Sequence, residues 1–361
     1  MTTTTLTRLA TIAITIGALP ACDTDPAEIE TFEIDFRDDH KTTGEKYNTN
    51  FLEDDALPLN NMPFFAGGDP DTQLIEIRSE HCRDSGGQVV YGQFSTAGVG
   101  TDVPTTDNGK LLTIELADVT DPTFHCFIDG ELWEDTYWEV SVNTQGQTVQ
   151  TDLWLRDVAS DEFLQPVYLW YVNYWRIDPL ATRPVYRPTC DEDVDDSVDP
   201  ALAFHAYLVP GLHVSETNGA FTLDTLFSSG YMACRSGAVG KSISWGYSPW
   251  THDVQTHELA TRMVRADYCG TGTSYTEVGT AIWVESTLVA QDSVSPDPLI
   301  YDVEAVWNID TSSAACVTWP RLAANQVNAP GFGCPGAGAL PECGVEHFND
   351  PGALILTHAP L

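Results

Sequence analysis

Eight cysteines C-terminal to Cys22 constrain the fold more than any other feature of this sequence. Their number is even, and no pair has the Cys-x-x-Cys spacing of zinc ribbons and thioredoxin-like redox motifs. In an oxidising compartment such a set predicts up to four disulfides, while the choice of partners stays open. The candidates are Cys82, Cys126, Cys190, Cys234, Cys269, Cys316, Cys334 and Cys343.

The N-terminus carries the pattern of an export signal. Arg8 precedes an apolar run over residues 9–19, which is too short to span a bilayer as a helix. The run ends in LPAC at residues 19–22, which resembles the lipobox of bacterial lipoproteins. The resemblance implies a signal peptide over residues 1–21 and a diacylglycerol on the sulfur of Cys22. The alternative is ordinary secretion with a free Cys22 thiol.

The charge balance limits the partners. The chain has 53 acidic and 16 basic residues, with a formal net charge of −37. Nucleic acid is excluded because phosphate contacts need clustered Lys and Arg, and an anionic membrane surface is disfavoured for the same reason. We therefore expect an extracytoplasmic protein that reaches the membrane through its lipid anchor, at the outer membrane or the cell surface. A protein or glycan ligand stays open, and the acidity itself indicates either adaptation to a salty habitat or the binding of divalent cations.

Changes in composition divide the mature chain. Residues 22–65 form an acidic tether, residues 66–182 a β-rich region, and residues 183–200 an acidic loop or linker. Short runs rich in Val, Ile, Thr, Tyr and Trp, separated by turn residues, predict antiparallel strands from residue 66 onward. The expected fold is mainly β with a minor α component, sandwich-like or barrel-like, and stapled by disulfides.

Two turns and one aromatic strand stand out in the β-rich region. Asn108-Gly109 and Asp129-Gly130 predict hairpin turns. The strand predicted over residues 167–175 is apolar on both faces, which is typical of a strand covered on both sides. Its rings are alternatively a platform for stacking sugars. They belong to Tyr168, Trp170, Tyr174 and Trp175.

A single helix is predicted after residue 250. Thr251 or Asp253 can cap its start, and Gly270 can end it. One face carries apolar residues at helical spacing, which predicts that the helix packs against the core. These residues are Leu259, Ala260, Met263 and Val264.

The acidic loop imitates the start of a calcium-binding loop at Asp191, Asp193 and Asp195. The pattern then fails, because Asp196 stands where the turn glycine belongs and Leu202 where the bidentate Glu belongs. We interpret the segment as a solvated acidic loop, with an irregular Ca²⁺ site as the alternative. No other cofactor is predicted.

Several blocks in the second half of the chain occur in a fixed order. They are YMACRSGAVGKSISWGYSPW (231–250), TRMVRADYCGTGTSYTEVGTAI (261–282), EAVW (304–307) and Cys316. Together they resemble the ADYC domain over about residues 205–345, and we assign residues 201–361 to such a domain with a Cys-rich tail. Members of that family are largely exported bacterial proteins, often lipoproteins, without an established activity. The resemblance thus implies a fold unit and a location but no reaction.

The sequence departs from the family pattern at two positions. The family has one cysteine just after the lysine of the GAVGK-like block and another shortly before the RADYC block. Ser242 and Ala260 stand at these places. Their joint replacement suggests the loss of one whole disulfide, which predicts that their Cα atoms lie within about 7 Å, the limit for a bridge.

Candidate catalytic residues cluster around the predicted helix. Asp267, Arg265 and His257 are the candidates for a hydrolase site, although an Asp–Arg pair more often fixes a turn. Cys269 is either a nucleophile or half of a disulfide, and the oxidising compartment favours the disulfide. His252 and His257 are five residues apart, so their side chains diverge on a helix and converge poorly on one metal ion.

A hairpin at Pro210-Gly211 would bring His205 and His213 together, although two histidines alone make a weak site. The leading hypothesis is a non-catalytic envelope lipoprotein with a binding or structural role. The alternatives are a hydrolase of envelope or prey polymers and a calcium-dependent glycan or protein adhesin.

Overall fold

The structure is a computed structural model that describes most of the chain from residue 130 onward and several segments before it. The described residues are 45–48, 72–83, 89–92, 114–117, 125–128, 130–144, 147–160, 168–176, 185–190, 200–210, 212–215, 218–223, 230–277, 279–289, 292, 295–322, 332–336 and 338–360. Cys22 and the calcium candidates Asp191, Asp193 and Asp195 lie outside these residues. So do the side chains of Tyr168, Trp170, Tyr174 and Trp175.

The first sheet has eight antiparallel strands. In spatial order they are Gly230–Cys234 (β13), Ala206–Pro210 (β10), Tyr168–Arg176 (β8), Gln147–Ser160 (β7), Thr136–Thr144 (β6), Thr72–Arg83 (β2) and Val89–Gly92 (β3), with Val185–Pro188 (β9) also paired to β8. β6 and β7 form a long hairpin in which Thr136 is opposite Leu155 and Thr144 opposite Gln147. Trp138, Leu153 and Leu155 are buried on one face of this hairpin, as strict alternation along a half-buried strand requires.

The second sheet has five antiparallel strands. In spatial order they are Glu45–Asn48 (β1), Thr280–Ser286 (β14), Ala353–Pro360 (β19), Tyr301–Asn308 (β15) and Ser313–Val317 (β16). β1 belongs to the segment predicted as a tether. Three further pairs of short strands are Ile114–Ala117 (β4) with His125–Ile128 (β5), Leu212–Val214 (β11) with Phe221–Leu223 (β12), and Gly333–Cys334 (β17) with Gly338–Ala339 (β18).

Three α-helices complete the described part of the chain. They are Ala238–Ser244 (α1), Val254–Val264 (α2) and Val345–Phe348 (α3), and short 3-10 helices cover Gly130–Trp133 and Pro200–Leu202. α1 and α2 pack against each other, and α2 buries Leu259, Met263 and Val264 in a core shared with the second sheet. No helix among these described segments is both long and apolar enough to cross a membrane.

All eight predicted cysteines are paired, which confirms the disulfide framework. The pairs are Cys82–Cys126, Cys190–Cys234, Cys269–Cys334 and Cys316–Cys343. They link separate elements, such as β2 with β5 and the end of β9 with β13. Such a framework indicates an extracytoplasmic location, because the cytoplasm keeps thiols reduced. The predicted fold class is also confirmed, since the structure is mostly β with antiparallel sheets.

Two of the predicted hairpins are wrong. Asp129-Gly130 does not join paired strands, because β5 pairs with β4 while β6 pairs with β2 and β7. Gly130 instead begins a 3-10 helix. β10 and β11, which flank Pro210-Gly211, belong to different sheets, because β10 pairs with β8 and β13 whereas β11 pairs with β12. In both cases the strands that flank the turn pair with other strands, so the local turn signal did not decide the pairing.

The boundaries of the predicted helix are partly confirmed. Asp253 is its N-cap, and the Asp253 carboxylate accepts the backbone N–H of Thr256 at 2.7 Å. The C-terminal prediction is wrong, because the helix ends at Val264 and Arg265 rather than near Gly270. α1 was not predicted.

Candidate functional site

The segment Ala266–Cys269 is a tight turn that ends α2. The Ala266 backbone has φ of 52°, in the left-handed region that side chains other than glycine rarely adopt. The Ala266 N–H donates to the Met263 carbonyl at 3.0 Å, and the Asp267 N–H donates to the Arg262 carbonyl at 2.8 Å. These two bonds form a Schellman motif, which normally has glycine at the left-handed position. Ala266 is fully buried, so its methyl group belongs to the core.

Asp267 fastens the loop that follows the turn. Its Oδ1 accepts the Thr271 N–H at 3.0 Å, and its Oδ2 accepts the Gly272 N–H at 2.7 Å. Oδ2 also accepts Nη1 of Arg262 at 2.6 Å in an ion pair whose two side chains are almost completely buried. Both carboxylate oxygens are therefore used by groups of the protein itself.

Arg262 extends this network to a second loop. Its guanidinium donates to Oε1 of Glu258 through Nε at 2.9 Å, and Nη1 donates to the Asn218 carbonyl at 3.0 Å. Oε2 of Glu258 accepts the Phe221 N–H at 3.0 Å. Glu258, Arg262 and Asp267 thus join α2, the ADYC turn and the β11–β12 loop through buried charges that are paired and hydrogen-bonded.

Tyr268 is buried in the core that α2 shares with the second sheet. Its ring packs against those of Trp307 and Phe332, with centroid separations of 5.7 Å and 4.8 Å. Its hydroxyl donates to Oε1 of Glu304 at 2.7 Å and accepts the Arg321 N–H at 3.1 Å. Burial, and next the negative charge of Glu304, raise the pKa of Tyr268 well above its usual value.

Arg321 caps the C-terminal end of α2. Nη1 donates to the Val264 carbonyl at 2.8 Å, and Nη2 donates to the Met263 carbonyl at 2.5 Å. Both carbonyls lie in the last turn of α2, where the negative end of the helix dipole favours a cation, and the Met263 carbonyl also accepts the Ala266 N–H. Nε of Arg321 donates to Oε1 of Glu304 at 2.6 Å, so the buried guanidinium also has a carboxylate partner.

A β-bulge directs the side chain of Glu304 into this core. In the pairing of β15 with β19, Val303 is opposite His358 and Ala305 is opposite Thr357, so Glu304 is the extra residue. A bulge of this kind interrupts strict alternation and redirects a side chain. Glu304 and Ala305 are both buried although they are consecutive.

Cys269 is not a free nucleophile, because its sulfur is bonded to that of Cys334. The last three residues of the ADYC tetrapeptide thus serve three different contacts: an ion pair at Asp267, an aromatic core at Tyr268 and a disulfide at Cys269. The first, Ala266, supplies the left-handed turn.

His257 lies in a buried contact between α1 and α2. Its Nδ1 lies 2.8 Å from the Tyr247 carbonyl and 3.1 Å from the Ser242 hydroxyl. A carbonyl only accepts, so Nδ1 carries the proton, while the Ser242 hydroxyl donates to the Val239 carbonyl at 2.8 Å. His257 therefore cannot take the Ser242 proton through Nδ1, and both residues are fully buried. Burial lowers the pKa of His257 to about 3.

Two of the three catalytic candidates, Asp267 and Arg265, meet at Gly272, whereas His257 has other partners. Asp267 is paired with Arg262 rather than with Arg265, whose Nη2 donates to the Gly272 carbonyl at 2.6 Å. His257 faces Ser242 and Tyr247 instead. Together with the ion pair of Asp267, the contact of Arg265 with Gly272 holds the 267–272 loop against the end of α2. Within the described part of the chain, no group of three or more His, Cys, Asp or Glu residues is arranged to hold a metal ion.

The sequence profile of the ADYC domain matches residues 130–323, which is more than half of the chain. The chain belongs to the ADYC-domain family. The match begins before β6, so the ADYC domain includes strands of the first sheet as well as α1, α2 and the motif itself. No curated protein and no solved structure matches the chain.

The residues that pair with the ADYC motif are not among those predicted from the sequence. Glu258 and Arg262 are four residues apart on one helix, so their i, i+4 spacing was an available signal. Glu304 and Arg321 offered none, because they meet Tyr268 only through the bulge and the packing of distant segments.

The contacts of Ser242 with α2 show which helix face lies near it, and so whether Ala260 is close enough for the predicted lost disulfide. The Ser242 hydroxyl contacts His257 and Thr261 of α2, and a helix places residues 257, 260 and 261 on one face. Ala260 is fully buried. The predicted approach of Ser242 to Ala260 is consistent with this geometry and stays a prediction.

Proposed function

We propose that this protein is a non-catalytic, lipid-anchored protein of the cell envelope with a binding or structural role. The observation that carries the proposal is the use of the charged residues at the ADYC motif. Hydrogen bonds and ion pairs to each other and to the backbone of two loops occupy the polar atoms of Asp267, Arg262 and Glu258. Charges used in this way fix a scaffold, whereas a catalytic group must keep a polar atom available to its substrate.

The location in the envelope is supported by separate features. The four disulfides fit an oxidising compartment, and LPAC at residues 19–22 fits lipidation of Cys22. Two or more acyl chains would hold the protein at the membrane, as a single chain would not. The outer membrane or the cell surface is the proposed site of attachment.

Lipidation is tested by metabolic labelling with a radioactive fatty acid in the native host. The wild-type chain should incorporate label and sediment with membranes, and mass spectrometry should find an acylated cysteine as the first residue. The Cys22→Ser variant should lose both the label and the membrane association. An unlabelled wild-type chain with an unmodified Cys22 would overturn the anchoring.

The non-catalytic role is tested against the hydrolase alternative with purified peptidoglycan. The full-length protein should release no more soluble fragments than its Asp267→Asn variant does. Release by the wild type that disappears in a folded Asp267→Asn variant would favour the hydrolase and contradict the proposal.

A further inference from the structure

The outer face of the β6–β7 hairpin carries polar and aromatic side chains opposite the core. Tyr137, Glu139, Asp152 and Trp154 are all partly exposed, and they alternate with the buried residues of the same strands. The register places Tyr137 directly opposite Trp154 and Glu139 directly opposite Asp152. Two aromatic rings therefore lie beside two carboxylates on one face of the sheet.

The Trp154 indole is held in place by two neighbours. Its ring is parallel to that of Tyr137 within 6°, with centroids 5.9 Å apart. Its Nε1 donates to Oδ1 of Asp135 at 3.1 Å. Asp135 has φ of 60°, and its own N–H donates to the Leu155 carbonyl at 2.8 Å. A strained residue thus fixes the orientation of a partly exposed ring, which is a feature that recurs at binding sites.

A β-bulge continues the aromatic surface to β8. Leu155 is opposite Val172 and Asp157 is opposite Tyr171, so Arg156 is the extra residue of β7. The Arg156 guanidinium carbon lies 5.6 Å from the centroid of the Tyr171 ring. His205 stacks against the same ring with centroids 5.4 Å apart. The Arg156 guanidinium covers the Tyr171 ring and His205 stacks on it, so Tyr171 borders the Tyr137–Trp154 pair and is not itself an open stacking face.

We propose that this surface binds a neutral glycan chain of gluco-configured pyranoses. We call it the aromatic band and define it as Tyr137, Trp154, Arg156, Asp157 and Tyr171. The inference deepens the proposed binding role and does not depend on the lipid anchor. The aromatic band contains none of the four β8 rings, Tyr168, Trp170, Tyr174 and Trp175, that the sequence suggested as a sugar-stacking platform.

The chemistry of the aromatic band fits such a chain. Gluco-configured pyranoses carry their hydroxyl groups equatorially, so both faces of each ring present only C–H groups, which pack on aromatic rings. Beside the rings, the carboxylates of Glu139 and Asp152 can accept hydrogen bonds from the sugar hydroxyls, and the Arg156 guanidinium can donate them. Rings that are already held in position lose little conformational entropy on binding. The net charge of −37 disfavours anionic glycans.

The test uses isothermal titration calorimetry on the full, lipidated protein in a detergent without a sugar headgroup. The probes are cellohexaose and N-acetylchitohexaose, with a hexamer of galacturonic acid as the anionic probe and polylysine as the cationic one. At least one neutral hexasaccharide should bind, and Trp154→Ala and Tyr137→Ala should each weaken binding about tenfold or more. The galacturonate hexamer should not bind.

Trp283→Ala is the matched control. Trp283 is a partly exposed tryptophan on the second sheet, and its ring contacts that of Tyr301 at a centroid distance of 5.8 Å but at a tilt of 59°. This variant should bind the glycan as the wild type does, and thermal unfolding should show that all variants remain folded. Equal affinity of wild type and a folded Trp154→Ala would overturn the proposal.

Asp135 is assigned a positioning role. Asp135→Ala should weaken glycan binding about fivefold, because the indole loses its hydrogen bond. Asp135→Asn should restore binding, since Asn keeps an acceptor oxygen and tolerates the left-handed backbone. If the neutral probes do not bind and polylysine binds in a way that depends on Trp154, the glycan proposal is wrong and the ligand is a basic protein segment. Failure of all probes would overturn the aromatic band as a binding site, while lipidation of Cys22 would stand or fall separately.

Discussion

Ala266 and Asp135 are both non-glycine residues with left-handed backbones, but they lie in contrasting surroundings. Ala266 is buried in the ADYC turn, where Asp267 and Arg262 direct their charges inward. Asp135 is exposed beside the aromatic band, and its carboxylate accepts the Trp154 indole N–H at the surface. The same left-handed backbone conformation therefore occurs in two different roles. In both places surrounding contacts offset the cost of the left-handed backbone: buried partners fix a turn of the scaffold at Ala266, and a surface partner fixes an exposed ring at Asp135.

Asp267→Asn should produce the largest effect, because it removes the negative charge from a buried ion pair. The free energy of unfolding should fall by about 3–5 kcal/mol, measured by urea denaturation with disulfides intact. Asp297→Asn is the control, since Asp297 is exposed and its Oδ1 accepts a local N–H, that of Leu299. The control should change stability by less than about 1 kcal/mol. If the two variants lose the same free energy of unfolding, the buried carboxylate of Asp267 contributes no more to stability than the exposed carboxylate of Asp297.

Gly240→Ala should be next in size. A Cβ at Gly240 would lie 2.0 Å from the Cys234 carbonyl oxygen and 2.6 Å from its carbon, so α1 would have to move away from β13. The expected loss of stability is about 1–3 kcal/mol. Gly237→Ala is the matched control, because its Cβ would meet the same oxygen at an ordinary 3.4 Å. A melting temperature unchanged in Gly240→Ala would show that α1 is less tightly packed than the structure has it.

The pH dependence of stability should reveal His257. Its pKa is about 3 in the folded chain and about 6.5 when unfolded, so the unfolded state binds the proton first. Stability should therefore fall as the pH drops below about 6.5, by about 2 kcal/mol at pH 5 from this residue alone. His257→Gln should flatten the curve by that amount in denaturation experiments at pH 7 and pH 5. His205 has a pKa lowered to about 4 by burial, so part of the slope should remain. Parallel curves for wild type and variant would contradict the burial of His257.

Ser242→Cys combined with Ala260→Cys should produce the smallest change in stability and a clear chemical result. The two new cysteines should form a disulfide, detected by mass spectrometry of peptides before and after reduction. The new bridge offsets the lost hydrogen bonds of Ser242, so the net change in stability should be small. Ser244→Cys with Ala260→Cys is the control, because residue 244 is rotated by about half a helical turn from residue 242. Free thiols in both double variants would refute the lost disulfide.

The parts of the fold that depend on local pattern were predictable. The strands of the β6–β7 hairpin follow from alternation, and the Asp253 cap follows from the chemistry of helix starts. The end of α2 was not predictable, because Ala266 takes the position that usually signals itself by glycine. The hairpin expected at Pro210-Gly211 failed because β10 and β11 found partners elsewhere in the chain.

The sequence by itself determined the mainly β class, the set of cysteines that pair and the family, since each follows from residue type and local order. Only the tertiary structure decided which cysteines pair, that Arg262 rather than Arg265 binds Asp267, and that Glu304 meets Tyr268 and Arg321 in the core. The aromatic band likewise emerges only when β6, β7 and β8 lie side by side. The physical reason is that these contacts join residues far apart in the chain. Their partners are set by strand register, bulges and packing, and no local propensity encodes them.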